Sequence, residues 1–172
     1  MKTKWIVVIG ALLVIGAWGG AVMVSRQRIR RALRTAFEDF ELDPAWGEAL
    51  GETESGLQPA VNMTGGDLAR GGSFGPTQIS QKTARAFGYK GAMETLNTDP
   101  ELAADLTAAM VADGFAERGG AIYHYGRPLS FDQMLAVWNA GRLDSDPALP
   151  IITRRDYIPR ANRILADLEE EA

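Results

Sequence analysis

Glu54 closes a short apolar stretch and is followed at once by Ser55, Gly56 and, three residues on, Pro59. A carboxyl group at the core-facing end of a helix can have its pKa raised and so keep a proton to donate, as cleavage of a bond to a poor leaving oxygen requires. Downstream, Gly75-Pro76-Thr77-Gln78-Ile79 combines a glycine that permits close backbone approach with an amide side chain. Trp138-Asn139-Ala140-Gly141 supplies an aromatic face and a second amide, and Tyr157 a phenol. Asp67, among the glycines 65, 66, 71, 72 and 75, is the candidate second carboxylate. Taken singly these residues have ordinary readings: an exposed helix-end glutamate, turn glycines, a turn aspartate.

Other chemistries find little support. The chain has no cysteine and one histidine, His124, so a thiolate metal site, a multi-histidine zinc site and a Ser-His-Asp triad all lack their parts. No metal or cofactor is expected, and His124 reads as a packing or surface residue. The net charge of −4 hides an asymmetry: Lys2, Lys4, Arg26, Arg28, Arg30, Arg31 and Arg34 precede any acidic residue. Beyond them, 11 basic residues face 22 acidic ones. So acidic a remainder repels phosphate backbones, which argues against nucleic-acid binding.

The elements that must position these residues can be sketched from periodicity and caps. Trp5 to Val24 carries no charge and matches the roughly 30 Å hydrocarbon layer as a helix, so residues 1–25 are expected to cross a lipid bilayer once. Gly16 and Gly20 would suit close helix-helix association there, or are simply filler. Residues 26–42 read as a basic amphipathic stalk helix, with Ile29, Leu33, Phe37 and Phe40 on one stripe. Residues 43–172 are the expected globular domain. Asp43-Pro44 opens a helix to about Glu54, with Glu52 on a different, solvated face; Ser80 caps a short helix. Asp99-Pro100 opens a helix to about Arg118, Ser130 one that ends at Gly141, and Thr153 to Glu170 form the last, kinked or interrupted at Pro159. The class is mostly α, with a small irregular or β element between Gly56 and Ile79.

In their order and separation, Glu54-Ser55-Gly56, Gly75-Pro76-Thr77-Gln78-Ile79, Trp138-Asn139-Ala140-Gly141 and Thr153 through Tyr157 resemble the soluble lytic transglycosylase and goose-type lysozyme group. The resemblance spans about Asp43 to Leu168 and implies a lysozyme-like α+β fold. It implies Glu54 as the single general acid/base and Ser55, Gly75, Gln78, Trp138, Asn139 and Tyr157 as residues of a sugar cleft, with the Tyr157 hydroxyl reaching the acid. Trp138 departs from the family's usual tyrosine, and Ile152 replaces a frequently acidic residue.

The activity so implied is cleavage of a peptidoglycan glycan strand between N-acetylmuramic acid and N-acetylglucosamine, leaving 1,6-anhydro ends. Two alternatives stay open: a lysozyme-type muramidase with Asp67 as second carboxylate, and a membrane-anchored structural or wall-binding protein without turnover. The domain would act in the periplasm or cell wall. Against this, five arginines follow the apolar run and by the positive-inside rule favour a cytoplasmic domain; delivery in a phage particle or at lysis would remove the conflict.

Overall fold

The computed structural model describes residues 26–63, 71–118, 121–143 and 145–171. The expected membrane segment, with Gly16 and Gly20, lies outside these residues, as does Asp67. Among the described residues no helix is long and apolar enough to cross a membrane.

Helix α1 occupies residues 26–39 and buries Ile29, Ala32, Leu33, Ala36 and Phe37, spaced by three and four. It lies on α2, Pro44–Ser55, which approaches closely because two glycines one turn apart face it. A Cβ on Gly47 would stand 2.6 Å from the Phe37 ring, and one on Gly51 2.6 Å from a Leu33 methyl. Leu33 and Phe37 are fully buried, worth about 1.5–3 kcal/mol each. Ion pairs tie the rim of this contact. Arg26 meets Glu52 at 3.0 Å, and Arg30 and Arg34 both meet the buried Glu48; outside this contact, Arg28 makes two bonds, of 2.9 and 2.8 Å, to Glu101. The stretch 26–42, expected as a stalk outside a domain that starts at residue 43, therefore shares the domain's core. Glu52, expected in solvent, is paired.

Asp43 caps α2 by accepting from the Ala45 amide at 2.9 Å, and Gly56 ends it in the left-handed region. Three two-residue strands follow: β1 (Val61–Asn62), β2 (Ser73–Phe74) and β3 (Ile79–Ser80), antiparallel in that order. Asn62 pairs with Ser73 and Ser73 with Ser80, while Val61, Phe74 and Ile79 form the neighbouring row. Side chains alternate across a strand, so one row is polar, and Phe74 and Ile79 in the other enter the core. Ser80 then caps α3, Gln81–Ala86. The short α4, Thr95–Thr98, precedes α5, Pro100–Asp113, capped by Asp99.

Helix α5 stops at Asp113 rather than near Arg118. Gly114 takes φ +63°, and a Cβ there would lie 2.4 Å from the Arg127 carbonyl oxygen, so the backbone turns where only glycine fits. Residues expected to finish the helix instead form β4, Phe115–Arg118, paired antiparallel with β5, Ala121–His124. Helix α6, Phe131–Ala140, begins at a Ser130–Gln133 capping box and ends at Gly141, as its sequence predicts. The last helix runs from residue 151 to Glu170 with a wider π turn at Thr153–Tyr157; its α-helical part, α7, is Ile158–Glu170. Pro159 does not break it. The π turn precedes the proline, whose ring would otherwise crowd the carbonyl four residues back.

The protein is thus mostly helical with a small three-stranded sheet and a separate hairpin. Its apolar interior forms two clusters. One joins α1, α2, α6 and α7, with Ala104, Ala108 and Val111 of α5; the other joins the small sheet to α3, α4 and the opposite face of α5. Trp138 packs against both.

Candidate active site

Where the clusters meet, a cleft of about 220 Å³ opens, lined by Glu54, Gln78, Trp138 and Asn139 among others. The polar row Asn62, Ser73 and Ser80 forms one wall, joined by Thr83 from α3. Ile79, Phe115 and Val137 make up apolar surface. Among the described lining residues Glu54 is the one ionisable group.

Glu54 stands in the last turn of α2, half-buried. From the π turn, 103 residues away in the chain, Tyr157 donates its hydroxyl proton to Glu54 Oε1. Desolvation raises the Tyr157 pKa well above the ordinary phenol value, and the Glu54 carboxylate and its hydrogen bond push it the same way. The phenol therefore stays protonated and remains a donor. Thr153, at the start of the π turn, donates to Asn139 Oδ1 at 2.7 Å, so the same stretch holds both the acid and the second amide.

The turn between β2 and β3 is held from several sides. Gln78 has φ +54°, uncommon for a residue with a side chain, and its Nε2 donates to the carbonyls of Ala60, at 3.1 Å, and Gly75, at 2.8 Å. Both amide hydrogens are used, so what Gln78 can offer a ligand is its carbonyl oxygen as acceptor, not the two-way bonding its residue type suggests. Thr77 is buried, its hydroxyl 2.7 Å from that of Thr107, and its carbonyl accepts from Trp138 Nε1 at 2.9 Å. The Trp138 indole thus serves as a brace.

Two residues expected to bind substrate lie outside the described cleft lining. Ser55 donates to the Pro76 carbonyl at 2.7 Å and accepts from the Gln58 amide, fastening the end of α2 to the turn, and it does not line the cleft. Gly75 is buried, its amide 2.8 Å from Asn97 Oδ1, and a Cβ would lie 3.0 Å from the Leu96 carbonyl oxygen; it too is absent from the lining. Its lack of a side chain lets the turn approach α4. Conversely, Asn62, Ser73, Ser80, Thr83 and Phe115 line the cleft although no motif singled them out. Their place depends on strand register and on the hairpin, which no local pattern reveals.

Among the described residues no group of three His, Cys, Asp or Glu could hold a metal ion. His124 sits at the end of β5 with Nδ1 against Asp113, its ring stacked with Phe87 and edge-on to Phe115. No family model matches the chain, and neither a curated protein nor a solved structure does so.

Proposed function

We propose that this chain is a lysozyme-like peptidoglycan lytic transglycosylase, tethered to the bilayer by residues 5–24 and acting on the wall side of the membrane. The observation that carries the reading is the contact of the Tyr157 hydroxyl with Glu54 at the edge of a cleft whose other described lining groups are uncharged. Hydroxyls, amides and an indole suit a neutral saccharide bearing N-acetyl groups, whereas a phosphorylated ligand would call for cations. Support also comes from the order of the four motifs, three of which place a residue at the cleft.

On this reading Glu54 gives its proton to the glycosidic oxygen as the bond to C1 of N-acetylmuramic acid breaks. The C6 hydroxyl of the same sugar then forms the new bond to C1, and the Glu54 carboxylate takes its proton. No water is consumed and the acid is regenerated. Tyr157 fixes the carboxylate oxygen it touches, and the Gln78 carbonyl oxygen and Asn139 orient the sugar. A single carboxylate suffices for this sequence of steps.

Digesting purified sacculi with the full-length protein and weighing the fragments tests the reaction type. Ends lighter by one water than reducing ends are expected. Reducing ends would replace this reading with the muramidase that uses Asp67, and the absence of any fragment would leave a wall-binding protein without turnover.

A further inference from the structure

We propose that Arg160 is a positioning residue for Glu54, gripping the backbone beside the carboxyl from the helical turn that follows Tyr157. The inference rests on the reading of Glu54 as the acid.

Tyr157 and Arg160 are three residues apart on one helix and so reach the same side. Both end on the last turn of α2: the phenol on the Glu54 carboxylate, the guanidinium Nη2 on the carbonyl of Thr53 at 2.5 Å. The carbonyls of a helix's last turn have no partner within the helix. Here Gly56 bonds back to Glu52 and Leu57 to Gly51, and the Thr53 carbonyl, next in line, receives Arg160. Thr53 itself is buried, with its hydroxyl on the Ala49 carbonyl at 2.7 Å, so its backbone has little room to move. A cation at a helix C-terminus also opposes the negative end of the dipole. The grip therefore fixes the residue before Glu54 while Tyr157 fixes its carboxylate, and two points define an orientation that one does not.

The charged and titratable groups around Glu54 in the described residues are few. On α2 itself Glu52 is paired with Arg26 of α1; from the last helix come Tyr157 and Arg160; the described cleft lining from the sheet, α3 and α6 carries no charge. Arg160 also acts on Tyr157, whose pKa its charge draws down against the effect of burial.

The test uses full-length Arg160→Ala and Arg160→Lys on sacculi. Arg160→Ala is expected to lower kcat by about ten- to a hundredfold, the scale of a misplaced catalytic group, with KM within about twofold. Glu54 must hold a proton to donate it, and loss of a nearby cation favours the protonated form, so the alkaline limb of the pH–rate profile should move to higher pH. Arg160→Lys, which keeps the charge, should leave the limb in place and restore most of kcat. An Arg160→Ala variant whose kcat and alkaline limb match the wild type overturns the proposal, as does a lysine variant equally impaired with the limb unmoved. If the wild type itself releases no fragments, the enzymatic reading falls, and hydrogen exchange then decides the grip: the Gly56 and Leu57 amides should exchange faster in Arg160→Ala, and unchanged exchange would refute it.

Discussion

Trp138 donates its indole N–H to the carbonyl of Thr77 at 2.9 Å, across 61 residues of chain, and so joins the end of α6 to the turn that carries Gln78. The same ring packs against both apolar clusters, so one side chain sets the spacing between the two walls of the cleft. Trp138→Phe keeps an aromatic ring but leaves the Thr77 carbonyl without this donor, at a cost of about 1–2 kcal/mol. Lower thermal stability and a KM raised several-fold are expected, with kcat changed less because Glu54 is untouched. Melting curves and steady-state kinetics on soluble glycan fragments measure both.

Tyr157 gives a pH dependence of definite sign. Its folded-state pKa lies above the unfolded value of about 10, so the folded form holds the phenolic proton more tightly. Stability from this group is fully present below pH 10 and falls as pH rises from there through the folded pKa. The stability difference between the wild type and Tyr157→Phe should therefore narrow above about pH 10. Absorbance titration should show one of the four phenols ionising last, and that late step should vanish in the variant.

Glu48 is buried, with its side chain only 3% exposed, and its charge is met by Arg30 and Arg34 of α1. Replacing both arginines with alanine leaves a buried carboxylate without these partners. The cost should be about 3 kcal/mol, at the low end for stripping a buried charge because the arginines are themselves half exposed. Adding Glu48→Leu should restore much of the loss, since no charge then remains to be compensated. Urea unfolding of the three proteins gives the comparison; a double arginine variant as stable as the wild type would show that α1 is held by its apolar stripe alone.

The helices with strong local signals were legible because their caps act within one turn: Asp43, Asp99 and Ser130 each bond to an amide two or three residues on. The hairpin after Gly114 was not, because strand pairing is set by a partner segment and a glycine turn, and the preceding helical period runs on through Phe115. The apolar stripe of α1 was visible, but a stripe does not say what covers it; Gly47 and Gly51, whose missing side chains admit Phe37 and Leu33, answer that only in three dimensions. Of the residues the motifs singled out, Glu54, Gln78, Trp138 and Asn139 line the cleft, and Tyr157 contacts Glu54. The motifs also picked out Ser55 and Gly75, which are not in the described cleft lining and whose hydrogen bonds to Pro76 and Asn97 reach across more than twenty residues. They missed the Asn62–Ser73–Ser80 row because that row exists only once the three strands are in register.

The proton on Glu54 is the center of the account, and the most direct measurement is the rate at which full-length Glu54→Gln solubilises purified sacculi beside the wild type. An amide of nearly the same shape cannot donate that proton, so the rate should fall by about 10²–10⁴-fold while the melting temperature stays near that of the wild type. A folded glutamine variant that retained more than a few per cent of wild-type lysis would contradict the assignment.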